Sequence, residues 1–76
     1  MRQVIYENDG VVVLKDDFKY YIRYDVGTHQ ITIREDEISE DQAKQVMLSP
    51  AEATKVLFAV QQRLTVEGID PYVSNV

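Results

Sequence analysis

Along residues 18–26 the side chains alternate, with Phe18, Tyr20, Ile22, Tyr24 and Val26 on one side and Lys19, Tyr21, Arg23 and Asp25 on the other. Successive strand side chains point to opposite faces, so this pattern predicts a β-strand with one buried face. Its β-branched and aromatic residues suit a pleated, half-buried surface. Before it, residues 2–7 and 11–15 form two apolar runs separated by Asn8-Asp9-Gly10, and an Asp-Gly pair in that setting predicts a hairpin. Asp16-Asp17 ends the second run as a turn, and Asp25-Val26-Gly27-Thr28 ends the third strand. A fourth strand is predicted over residues 29–35, with Ile31 and Ile33 inward and Gln30, Thr32 and Arg34 outward. Four strands joined by short turns make an antiparallel meander with one solvated face.

Residues 35–41 hold Glu35, Asp36, Glu37, Glu40 and Asp41, a density of like charge that predicts a solvated loop. Residues 44–48 fit two elements. Ser39 can cap a short helix over residues 40–47, or residues 45–48 can add a last short strand, and the strand is the preferred reading. Ser49-Pro50-Ala51-Glu52 is a helix start, with Ser as N-cap, Pro at the first helical position and Glu placed for a capping box. The helix should run over residues 50–66 until Gly68 ends it and Pro71 prevents continuation. Ala53, Val56, Leu57, Val60 and Leu64 form its apolar stripe. Residues 69–76 show no periodicity and read as a tail in which Tyr72 and Val73 could dock. The fold class is therefore α+β: an antiparallel β-meander of four to five strands packed on one C-terminal α-helix. Residues 1–68 form the single domain, with a core of Tyr20, Ile22, Tyr24, Ile31, Ile33, Val56, Leu57, Val60 and Leu64.

At 76 residues the chain holds one domain with a small core. Association is a common source of stability at this size, so homodimerisation is an expectation. There is no Cys, which removes disulfides and thiolate metal sites. The apolar runs 11–14 and 56–60 are too short to span a bilayer, and the first seven residues lack the apolar segment of a signal peptide, so cytoplasmic residence is expected. The net charge of -5, from 13 acidic and 8 basic residues, counts against an anionic membrane surface and against a general nucleic-acid binder.

No pattern for a nucleophile, a phosphate loop or a metal centre occurs, and the lone His29 reads as a partly exposed polar residue. The expectation is no enzyme and no cofactor. Residues 35–41 also lack the spacing of a calcium-binding loop. The meander places the ends of strands two and four at one end of the sheet, so Asp16, Asp17, Glu35, Asp36, Glu37, Glu40 and Asp41 are expected to form an acidic rim suited to a basic protein surface. Phe58 falls outside the helix stripe and is a candidate contact with a partner or a second copy.

The outward sheet face carries Lys19, Tyr21, Arg23 and Arg34, cations interleaved with an aromatic, as in surfaces that hold single-stranded nucleic acid. In its order of elements the chain resembles the positive-cofactor-type transcriptional coactivators. That layout implies a dimer binding single-stranded DNA, and no sequence motif carries the likeness. Two functions follow as expectations. The first is a small accessory or regulatory protein, an acidic inhibitor or adaptor, that binds another protein. The alternative is a single-stranded nucleic-acid-binding module using the outward face.

Overall fold

The computed structural model of the chain describes residues 1–27 and 30–76; His29 lies outside the described residues. Four strands, β1 (Gln3–Asn8), β2 (Val11–Asp16), β3 (Lys19–Asp25) and β4 (Ile33–Ile38), form one sheet in the order β1-β2-β3-β4. All neighbours are antiparallel. Two helices follow, α1 (Glu40–Val46) and α2 (Pro50–Val66). The β1–β2 loop is the two residues Asp9 and Gly10, both at positive φ (54° and 81°), the backbone of a turn whose twist matches its flanking strands. β1 carries a bulge at Ile5, between the pairs Val4–Leu14 and Tyr6–Val13.

The buried core joins Val13, Ile22, Tyr24 and Ile38 of the sheet to Ala43 and Val46 of α1 and to Ala53, Val56, Val60 and Leu64 of α2. Tyr20 and Leu57 pack against it but are only partly buried. α2 spans the residues its sequence predicts. Ser49 Oγ accepts from the Glu52 amide at 3.2 Å, while the Glu52 carboxylate turns to Gln45 Nε2 of α1 at 2.8 Å and to Lys55 Nζ at 3.2 Å. At the other end Gly68 takes φ 79°, its amide donates to Thr65 O at 3.1 Å and the Ile69 amide to Leu64 O at 2.8 Å, so orphan carbonyls of the last turn are satisfied.

Several expectations are corrected. Phe18 does not open strand three on its buried face: the turn is Asp17-Phe18, with Asp16 paired to Lys19 and Asp17 at φ 55°, which leaves Phe18 97% exposed at the hairpin tip. Strand four begins at Ile33, and its faces are reversed. Arg34, Asp36 and Ile38 point inward, Ile33 lies half-buried on the other face, and Ile31 is 80% exposed. A one-residue change of register moves every side chain across the sheet. The Asp25 carboxylate sets this register by holding the connecting loop, accepting from the amides of Gly27 at 2.8 Å and Thr32 at 3.0 Å. Those two bonds, the Thr32 one first, hold its acid below the usual carboxylate range.

The acidic residues expected in a loop are largely secondary structure. Glu35, Asp36 and Glu37 are in β4, where alternation sends neighbouring like charges to opposite faces, and Glu40 and Asp41 open α1. Residues 44–48 are not a strand. Ser39 caps α1 through a complete box, accepting from the Gln42 amide at 3.1 Å while Gln42 Oε1 accepts from the Ser39 amide at 3.0 Å. Glu40 and Asp41 in the first turn and Lys44 in the last suit the helix dipole.

Candidate functional site

The antiparallel order brings the end of β2, the start of β3 and the end of β4 to one end of the molecule, since Lys15 pairs with Tyr20 and Tyr20 with Ile38. Asp16, Asp17, Phe18, Glu40 and Asp41 therefore gather there. Asp16 Oδ1 accepts from the N-terminal amine at 3.0 Å. Glu40 accepts from the Tyr20 hydroxyl at 3.1 Å and lies 3.8 Å from Lys44 Nζ. Asp17 and Asp41 are exposed, as is Glu37 near the end of β4. Phe18 stands between Asp17 and Lys19 at the tip of a two-residue loop.

The remaining two carboxylates of the expected rim are engaged by arginines on opposite faces of β4. Asp36 is buried and bidentate with Arg34, at 2.9 Å to Nη2 and 3.1 Å to Nε, and accepts from the Tyr24 hydroxyl at 2.9 Å. Burial first, then the bond to the Asp36 carboxylate, pushes the Tyr24 phenol up to about 12. The hydrogen bond to Asp36 raises Arg34 further above its ordinary value. Glu35 is also covered, between Arg2 and Arg23 Nη2, the latter at 3.0 Å.

Of the residues on the expected nucleic-acid face, Arg34 lies on the opposite face of the sheet, buried. The guanidinium of Arg2 covers the Tyr21 ring at 4.0 Å, and Arg23 is engaged by Glu35. Lys19 alone of the four is exposed. Leu14, between Val4 and Tyr21 in the pairing, is buried on this face too, so the outward side is a thin packed layer.

Phe58 is 66% exposed, on the side of α2 turned away from Val56, Val60 and Leu64. A cleft of about 320 Å³ opens where the β1–β2 hairpin meets the first turns of α2, walled by Tyr6, Tyr24, Val11, Ala53 and Leu57. Among the described residues no group of three His, Asp or Glu side chains is arranged to hold a metal ion, and no helix is long and apolar enough to cross a membrane.

Sequence reasoning missed Phe18 as a surface residue because it placed the turn one position early. The signal was present in Asp16 and Lys19, an opposite-charge pair flanking two residues. Comparisons with protein-family models, with curated proteins and with solved structures give no match, so the reading of this surface rests on its own geometry.

Proposed function

We propose that this is a small non-enzymatic binding protein that engages a basic surface of another protein through its acidic end, with Phe18 as the apolar anchor. The observation that carries the reading is Phe18, fully exposed on a tight hairpin beside Asp16 and Asp17 and at the same end as Glu40 and Asp41. An exposed aromatic has its full apolar area to bury on binding, and aromatic residues tend to dominate interface energies. Surrounding carboxylates would steer a basic partner and set its orientation. The nucleic-acid reading draws less support, since Arg34 is buried and the Tyr21 ring is already covered by Arg2.

The test uses Phe18→Ala, a change at a side chain without core contacts, alongside wild type in capture from the source organism's lysate. A basic protein retained by wild type in low salt should be lost or weakened by roughly thirtyfold in the variant, the equivalent of about 2 kcal/mol for a hot-spot residue. The two chains should melt alike. Identical capture by both, or tight salt-sensitive binding of single-stranded oligonucleotide by both, overturns the proposal.

A further inference from the structure

Residues 70–75 lie along the free side of β4 without forming a strand ladder. Asn75 does with its side chain what a neighbouring strand does with its backbone: Oδ1 accepts from the Glu35 amide and Nδ2 donates to the Glu35 carbonyl, each at 2.8 Å. Ser74 Oγ donates to the Ile33 carbonyl at 2.8 Å. Arg63 of α2 caps the Glu37 carbonyl at 2.9 Å. Arg34, anchored by Asp36, spends its Nη1 on the carbonyls of Val73 at 2.7 Å and Asp70 at 3.4 Å. The Glu35 amide and the Ile33, Glu35 and Glu37 carbonyls of this edge are thus satisfied by side chains. The covering segment contributes little apolar burial, because Pro71 is buried but Tyr72, Val73 and Val76 are exposed. A segment held by polar contacts, several of them exposed, opens at a lower free-energy cost than a packed one, and an uncovered edge is a template for another strand.

We infer that the edge of β4 is a strand-addition site for an extended, basic segment of a partner protein, and that residues 70–75 are the strap it displaces. The inference deepens the proposed binding function and rests on it. Strand addition supplies main-chain hydrogen bonds, and alternate side chains supply selectivity. Glu35 and Glu37 share the face of β4 away from the helices; Glu35 is already held by Arg2 and Arg23, and Glu37 is exposed. An antiparallel copy of β4 centred on Asp36 would set Glu37 opposite Glu35, whereas Lys or Arg opposite Glu37 is favourable. That charge pattern selects a basic partner over a second copy of this chain. When the strap leaves, Arg34 keeps both bonds to Asp36, which gives up the 3.4 Å contact from Asn75 Nδ2, and the Arg34 Nη1 is free for a carbonyl of the incoming strand.

The experiment uses the full chain, wild type and Asn75→Ala, followed by amide hydrogen exchange and two-dimensional NMR. The probe is a heptapeptide of alternating Lys and Val; controls are the same peptide with Glu for Lys and one N-methylated at alternate positions. Without peptide, exchange at the Glu35 amide should rise on the order of tenfold in Asn75→Ala, while the Val13 and Ile22 amides keep their protection. The Lys-Val peptide should bind the variant about tenfold more tightly than wild type and protect the Glu35 and Glu37 amides, and neither control should do so. Unchanged Glu35 exchange in the variant, absence of peptide binding, equal binding by the Glu or N-methylated peptide, or protection at Val4 and Glu7 of β1 instead overturns the inference. Equal binding to both chains centred on Asp17, Phe18 and Asp41 overturns strand addition while leaving the acidic-end reading standing. Loss of capture by Phe18→Ala with no response at Glu35 has the same meaning.

Discussion

Tyr24 is the residue in which burial and ionisation meet. Its hydroxyl donates to Asp36, and its phenol is held at about 12 against an ordinary value near 10. A folded-state value above the unfolded one means that the neutral phenol is favoured by the fold. Its contribution is then complete below about pH 10 and is lost as pH rises through about 12. Denaturant midpoints should therefore fall over that window in wild type, and the fall should be smaller in Tyr24→Phe. The phenolate absorbance of wild type should show one late-titrating tyrosine that the variant lacks; a variant with the same late step would show that another tyrosine carries it.

At the scale of elements, α1 depends on its cap. A helix of seven residues is too short to stand on propensity, and its first donors are satisfied by the Ser39–Gln42 box. Ser39→Ala should cost about 1 kcal/mol, read as a lower denaturant midpoint with unchanged slope. A null effect would mean that packing of Ala43 and Val46 alone holds α1. The sequence made α2 legible because its cap, stripe and terminal glycine all agree. The β1–β2 hairpin was legible because Asp9-Gly10 needs positive φ at both positions. Strand four was misread for an equally physical cause: Ile31-Thr32-Ile33 has the alternation of a strand, but the inward places go to Arg34 and Asp36, which are tolerable there because they and Tyr24 satisfy one another. Local pattern cannot show a partner 12 residues away, such as Tyr24 for Asp36. Leu57 fits the stripe yet sits at its margin beside the cleft, so its side chain contributes less to stability than a fully buried one.

For the whole molecule, ion pairing leaves the net charge of -5 as it is and places it on the acids that have no cationic partner. Of the eight Lys and Arg, Arg2, Arg23, Arg34, Lys44 and Lys55 are in ion pairs among the described residues. Glu37, Asp41, Asp17 and Asp9 are exposed and outside those pairs. The acids of residues 35–41 therefore divide sharply. Asp36→Asn should cost about 3–5 kcal/mol, because it leaves the Arg34 cation buried without its counter-ion, a large share of a domain stability of about 5–15 kcal/mol. Glu37→Gln should leave the melting temperature unchanged. Equal melting of the two variants would show that the Arg34–Asp36 pair is not needed by the fold.

The order of the strands in the sheet is their order in the chain, and this bears on how the molecule comes to be made. Each hairpin closes over a short loop, so pairing the strands costs little loop-closure entropy and can proceed as a zipper from either turn. The bonds from residues 70, 73 and 74 back to Arg34 and Ile33 span 36 to 41 positions. They can form only after the meander exists to receive them. A growing chain can assemble all four strands while the rim of β4 is still bare, so its exposure to wrong pairing is greatest between the folding of the sheet and the arrival of Asn75.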